Sequence, residues 1–375
     1  MSAEGPPRGA NRSPSGGSEQ SERGGPSNPG AKLTAPAQPI DAAALAAWLR
    51  ANVDEGIRSL DVEQFQGGQS NPTYRVTAGN RRYVLRRKPP GKLLPSAHAI
   101  DREYRVMSAL ADTGVPVAKM LALCEDDAVI GTAFYVMEHV DGRILWDPAL
   151  PGMAPAQRAA HYDELNRVIA TLHQVDYAAA GLPDFGRTGN YIERQVARWS
   201  KQYQAAGAER IAAMDRLIEW LPSHIPVDDE TSIVHGDYRL DNVIFHPTEP
   251  RILAVLDWEL STLGHPLSDF AYQVMAWRLA PEEFRGLKGA DLAALGIPDE
   301  AEYVAAYCRR TGRQEIANWE FYLIFNMFRI SAILHGVLSR AMQGNAASAD
   351  AVEMGSRARP VADVAWNMAQ KLNKE

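Results

Sequence analysis

Ile233-Val234-His235-Gly236-Asp237-Tyr238-Arg239-Leu240-Asp241-Asn242-Val243-Ile244-Phe245, followed by Ile252-Leu253-Ala254-Val255-Leu256-Asp257-Trp258-Glu259, carries the densest polar information in the chain. Two apolar, strand-like runs, Val243–Phe245 and residues 252–256, flank a His246-Pro247 turn and read as a hairpin. Its two ends carry acids. Turn carboxylates beside a buried hairpin are common. An Asp, an Asn five residues later and a second Asp after the next strand form a rarer pattern.

Outward from this hairpin, the N-terminal side is strand-rich and the C-terminal side helical. Asp41 followed by an Ala/Leu/Trp pattern reads as a capped amphipathic helix. Residues 62–65, 73–77 and 82–87 are short β-forming runs parted by Gly67-Gly68 and Gly79-Asn80, the pattern of an antiparallel meander. Residues 97–110 place Ile100, Tyr104, Met107 and Leu110 at helical spacing, and runs at 120–123 and 134–137 complete five strands. Helical segments follow near 156–178, 191–221, 299–311, 317–342 and 357–373. The expectation is an α+β fold with two lobes: residues 39–140 as a small antiparallel five-stranded lobe with one main helix, and residues 141–375 as a larger, mostly helical lobe. No internal repeat, heptad seam or Walker A sequence is present.

Asp237, Asn242 and Asp257 match the kinase arrangement H-x-D-x-x-x-x-N followed by a metal-binding Asp. Phosphoryl transfer needs charge neutralised and a hydroxyl aimed at phosphorus. Asp257 offers Mg²⁺ a hard carboxylate, Asn242 a neutral oxygen, and Asp237 a base for the acceptor hydroxyl. His235-Gly236-Asp237 with Asn242, Leu256-Asp257-Trp258-Glu259, and Gly264-His265-Pro266 before Asp269-Phe270-Ala271 resemble the aminoglycoside phosphotransferase and choline kinase superfamily. The resemblance spans roughly residues 40–345 and implies a protein-kinase-like fold and ATP with Mg²⁺ as cofactors.

The same resemblance directs attention to the small lobe. Gln66-Gly67-Gly68-Gln69-Ser70-Asn71 lies where such folds place a phosphate-covering loop, although it departs from G-x-G-x-x-G. Ser70 and Asn71 are candidate phosphate contacts, and an ordinary Gly-rich hairpin is the alternative. Strand alternation puts Arg86 where the usual kinase Lys stands. Glu103 lies on the Ile100/Tyr104/Met107 side of its helix, where an unpaired carboxylate is costly, so a Glu103–Arg86 pair is expected. In Tyr135-Val136-Met137-Glu138-His139-Val140-Asp141-Gly142, the resemblance implies an inter-lobe hinge whose backbone at Glu138 and Val140 meets adenine. It also implies that His235 supports the catalytic loop. Asp269 braces that loop or caps a helix starting at Phe270, His173 is structural, and Trp146, Trp199, Trp277 and Trp319 belong to the core rather than to a substrate pocket.

The motif fixes the reaction better than the acceptor, a small molecule with a hydroxyl group. Residues 83–94 and 101–107 resemble the kinase-like domains joined to acyl-CoA dehydrogenases, which implies a hydroxyacyl-CoA acceptor whose phosphates suit Arg87, Lys88 and Lys92. A solvated loop is the alternative for those cations. An aminoglycoside or amino-alcohol kinase, and a nucleotide-binding pseudokinase regulating a partner, are the competing functions.

The whole chain agrees with this class. Its 375 residues are 46% apolar, enough for a sizeable core. A net charge of −7 gives no general case for nucleic acid or an anionic membrane. The two cysteines have no metal or disulfide spacing, and a cytoplasmic location is expected. Residues 1–38 include nineteen Gly, Pro or Ser and read as a disordered tail without a secretory signal. No run looks long and apolar enough to span a bilayer.

Overall fold

The computed structural model of the protein describes residues 33–65, 71–89, 99–343 and 351–374. The N-terminal part is a six-stranded sheet, not five-stranded. Its strands are β1 (Leu33–Thr34), β2 (Asp61–Phe65), β3 (Thr73–Ala78), β4 (Arg81–Arg87), β5 (Met120–Cys124) and β6 (Phe134–Glu138), in the order β1-β2-β3-β4-β6-β5. Every pairing is antiparallel. The extra strand comes from residues expected in the tail: Leu33 and Thr34 pair with Phe65 and Gln64 at the sheet edge.

Both faces of the sheet are covered. Helix α1 (Ala42–Asn52), capped as expected by the Asp41 carboxylate, buries Leu45 and Leu49 against Tyr74, Val76 and Leu85. Helix α2 (Ile100–Leu110) lies on the other face and joins Val84, Tyr135 and Met137 in the main core. Alternation along β4 therefore sends Leu85 and Arg87 toward α1, and Val84 and Arg86 toward α2.

The C-terminal part comprises α3 (Pro155–His173), α4 (Tyr191–Ala205), α5 (Ala212–Trp220), β7 (Ser232–Val234), β8 (Val243–Phe245), β9 (Ile252–Val255), β10 (Thr262–Gly264), α6 (Pro266–Val274), α7 (Pro281–Phe284), α8 (Leu292–Leu295), α9 (Glu300–Thr311), α10 (Trp319–Met342), α11 (Ala351–Ser356) and α12 (Ala358–Leu372). The single helix expected over 191–221 is two, because the chain turns at Gly207, whose N–H donates to Ser339 Oγ at 2.9 Å. Strands β8 and β9 form the expected hairpin, and β7 pairs with β10.

Helix α10 corrects the expectation about apolar runs. Its 24 residues are long and apolar enough to cross a membrane by length and composition, but 83% of its most apolar window is buried within the protein. Phe321, Ile324, Phe325, Met327 and Phe328 are all in the core, each worth roughly 1.5–3 kcal/mol of burial. Helices α4, α5, α6 and α12 pack around it.

Candidate active site

The segment after β7 is shaped by Gly236, at φ 84°. A side chain there would begin 3.0 Å from Leu260, and the left-handed backbone favours glycine in any case. Helix α6 braces the same loop. Pro266 stands at its first turn and the His265 ring accepts Leu267 N–H, so the helix begins at Pro266 rather than Phe270. Asp269 consequently sits inside the first turn and is a brace, not a cap. Its carboxylate accepts the N–H groups of His235 at 2.7 Å and Gly236 at 2.8 Å. Burial pushes this carboxyl up, but the hydrogen bond from His173, with the surrounding His173 and His235 groups and the His235 N–H, prevails and holds it below its ordinary value.

His235 has a supporting part, as expected. Its Nε2 is 2.7 Å from the Leu256 carbonyl and therefore carries the proton, while Nδ1 accepts Asp237 N–H at 3.2 Å. His173, as expected, is structural: it spans Asp269 and the Tyr307 hydroxyl.

Asp237 and Asn242 are in direct contact. The Asn242 amide nitrogen donates to Asp237 Oδ2 at 2.8 Å and to its carbonyl at 2.9 Å. With the nitrogen committed, the amide oxygen is the group left for a cation. The Asn242 carbonyl accepts Leu256 N–H at 2.8 Å, which seats Asp257 beside this pair. Asp257 is itself left-handed, at φ 62° and ψ 59°, a conformation tolerated best by Asn and Asp among side-chain-bearing residues. Trp258 locks the turn by donating to Val255 O at 2.9 Å. The two acids and the amide are thus brought into one cluster.

Arg86 reaches this cluster from the sheet. Its Nε is 3.1 Å from Glu103, and its Nη2 is 3.0 Å from Asp257 and 3.3 Å from Glu259. Burial works against the cation, but Glu103, with smaller contributions from Tyr135, Asp257 and Glu259, outweighs it and keeps Arg86 firmly charged. The Glu103–Arg86 pair is therefore present, with Glu103 only 2% exposed.

Asn71 departs from its expected part. It is buried, and its amide donates to Glu103 at 2.8 Å, so that group belongs to the ion-pair network and is not presented to a phosphate. Ser70 lies outside the described residues, as does Lys92. The Tyr135 hydroxyl supplies a second hydrogen bond to Glu103 at 3.0 Å, beside the Arg86 ion pair. Glu103→Ala would leave these donors facing a void, so a loss of about 3 kcal/mol is expected, at the lower end for a broken buried pair because Arg86 keeps two other acids. Urea unfolding measures it; an unchanged midpoint would show that the pair adds no net stability.

At the sheet exit, Glu138 N–H is already used by Lys119 O at 2.9 Å. Val140, just beyond, makes no backbone hydrogen bond to another part of the chain among the described residues. The expected contacts of Arg87 and Lys88 with CoA phosphates are not supported. Arg87 is 3% exposed and lies over the Tyr74 ring on the α1 side, while Lys88 sits 3.9 Å from Asp101.

Several site residues gave no local signal. Tyr272 of α6 donates to Asp237 Oδ1 at 2.6 Å, and Arg239 Nε lies 3.3 Å from the same oxygen. Both line a cavity with Trp146, Leu240, Trp277 and Arg285. Trp146, expected in the core, is 54% exposed at the cavity and has the Arg285 guanidinium 5.7 Å from its ring. Trp277 is buried as expected, yet its ring also forms part of the wall.

Among the described residues no group of three or more His, Cys, Asp or Glu forms a metal cluster. One carboxylate and one amide oxygen still fit Mg²⁺, which takes hard oxygen donors and completes its shell with phosphates and water.

The model of the phosphotransferase enzyme family matches residues 61–322. Acyl-CoA dehydrogenase family member 10 of Mus musculus is 51% identical over 315 residues, covering 83% of this chain; the chain spans only 29% of that relative's length. A candidate aminoglycoside phosphotransferase from Ralstonia eutropha jmp134 is 58% identical with a TM-score of 0.82, over 89% of this chain and 99% of that one. The aminoglycoside phosphotransferase APH(4)-Ia, solved with AMP-PNP and hygromycin B, shares the fold at a TM-score of 0.55 and 17% identity, over 86% of this chain and 99% of that one. A kinase-like fold and a family model whose range includes Arg86, Glu103, Asp237, Asn242 and Asp257 lead to one assignment: the chain belongs to the phosphotransferase enzyme family.

Proposed function

We propose that this protein transfers the γ-phosphoryl group of Mg·ATP to the hydroxyl of a hydroxyacyl-CoA. The observation carrying the reading is that Asp237 is hydrogen-bonded on one oxygen to Asn242 and on the other to Tyr272, whose ring lines a largely apolar cavity. Asp237 Oδ2 accepts the acceptor's proton as its oxygen attacks phosphorus. Asn242 and Asp257 hold Mg²⁺, which when bound neutralises charge on the triphosphate. Arg86 turns from Asp257 toward phosphate, held by Glu103. The Glu138 carbonyl accepts from adenine and the Val140 N–H donates to it. Residues 39–140 then form the nucleotide lobe, and residues 141–375 the catalytic and acceptor lobe.

The cavity favours an acyl chain over an amine. Its walls include Leu165, Leu240, Met275, Trp277 and Phe284, and its cations are Arg239 and Arg285. The lining acid Asp241 is buried and engaged by both arginines. A polycationic aminoglycoside would meet two guanidinium groups and no free carboxylate there. The name of the mouse relative, an acyl-CoA dehydrogenase family member, supports the same choice.

A pseudokinase reading rests on Arg86, which replaces a lysine and contacts Asp257 where the metal would bind. ADP release with 4-hydroxyacyl-CoA, kanamycin and choline separates these functions. Turnover is expected with the hydroxyacyl thioester. Turnover only with an amine overturns the acceptor, and ATP binding without turnover of any acceptor supports the pseudokinase.

A further inference from the structure

We propose that Tyr272 is a positioning residue that fixes the orientation of the Asp237 carboxylate. Its importance for turnover rests on the proposed transfer reaction; its grip on the side chain does not.

Tyr272 and Asp269 are three residues apart on α6 and so share one face of the helix. That face holds the preceding loop twice. Asp269 binds the backbone at His235 and Gly236, while Tyr272 binds the side chain of Asp237. The backbone grip alone leaves Asp237 free to rotate about χ1 and χ2. Tyr272 acts on Oδ1 and Asn242 on Oδ2, from separate elements, and two donors on opposite oxygens define the carboxylate plane. A carboxylate has about four lone-pair sites. With these donors in place and Arg239 near Oδ1, an acceptor site remains on Oδ2 for the incoming hydroxyl.

Tyr272 is itself held firmly. It is 4% exposed, and the Arg329 guanidinium lies 5.2 Å from its ring centroid while donating to Gly236 O. Asn326 ties α6 to α10 by donating to Ser268 O at 2.8 Å. Burial, followed by the Asp237 charge, pushes the phenol's pKa far up, so Tyr272 remains a donor across the working pH range. Its ring also lines the cavity, placing the orienting group beside the proposed acceptor.

Tyr272→Phe removes one oxygen while retaining the ring. The expected result is a fall in kcat of about ten- to a hundredfold, since small misplacements of a reacting group are costly, with KM for ATP and 4-hydroxyacyl-CoA within about twofold of wild type. A crystal structure of the variant should show the Asp237 carboxylate rotated or in several orientations. An unmoved carboxylate, or a kcat within twofold of wild type, overturns the proposal. If wild type turns over no acceptor, the transfer reaction fails, and the crystallographic orientation of Asp237 still decides the part of Tyr272.

Discussion

Asp237→Asn should leave a folded protein that binds Mg·ATP as wild type does but transfers phosphate about 10²–10⁴-fold more slowly. The substitution is nearly isosteric. An asparagine oxygen can still accept from the Asn242 amide, while its NH₂ faces the Tyr272 hydroxyl, which can reverse and accept. The hydrogen bonds to Asn242 and Tyr272 are therefore retained, while the proton acceptor and the charge facing Arg239 are lost. Calorimetric titration with ATP reads binding, and coupled ADP release reads turnover. Full activity in this variant removes Asp237 from the role of base; loss of ATP binding shows that its charge instead organises the nucleotide site.

Asp257→Ala should weaken Mg·ATP binding at least about tenfold, equivalent to ~1.4 kcal/mol, while changing the affinity for metal-free ATP much less. The carboxylate is the negatively charged member of the proposed metal set, since Asn242 contributes a neutral oxygen. Alanine also loses the side chain that makes a left-handed backbone tolerable at φ 62°. Asp257→Asn separates these effects by keeping the conformation and halving the available oxygens. Calorimetry with and without Mg²⁺ should show a metal-specific loss in both variants. Equal losses with and without metal would assign Asp257 a structural part and place the cation elsewhere.

The legible parts of the site were those encoded by short spacing. Asp237 and Asn242 are five residues apart, and the β8–β9 hairpin carries the chain onward to Asp257. The Glu103–Arg86 pair was readable because strand alternation and a helical apolar stripe pointed the two charges toward each other. The same alternation, taken one residue further, places Arg87 on the opposite face; that face is covered by α1 instead of water, so Arg87 is buried away from any CoA contact. Tyr272 was hidden because it reaches Asp237 across thirty-five positions from another helix. The Asp269-x-x-Tyr272 spacing marks a shared face, but only the tertiary structure shows that the face holds the loop. Strand β1 was missed for a related reason: two residues become a strand only when Gln64 and Phe65 supply the edge. Trp146 illustrates the limit of composition, since its exposed ring at the cavity depends on the course of the loop before α3.

The most direct measurement follows the phosphorus atom. With γ-³²P-labelled ATP, Mg²⁺ and 4-hydroxyacyl-CoA, wild type should place label on the acceptor hydroxyl as a phosphate ester, and Asp237→Asn should not do so at a comparable rate. Label found only in inorganic phosphate, or on the acceptor equally fast in the variant, would contradict a transfer site built on Asp237, Asn242 and Asp257.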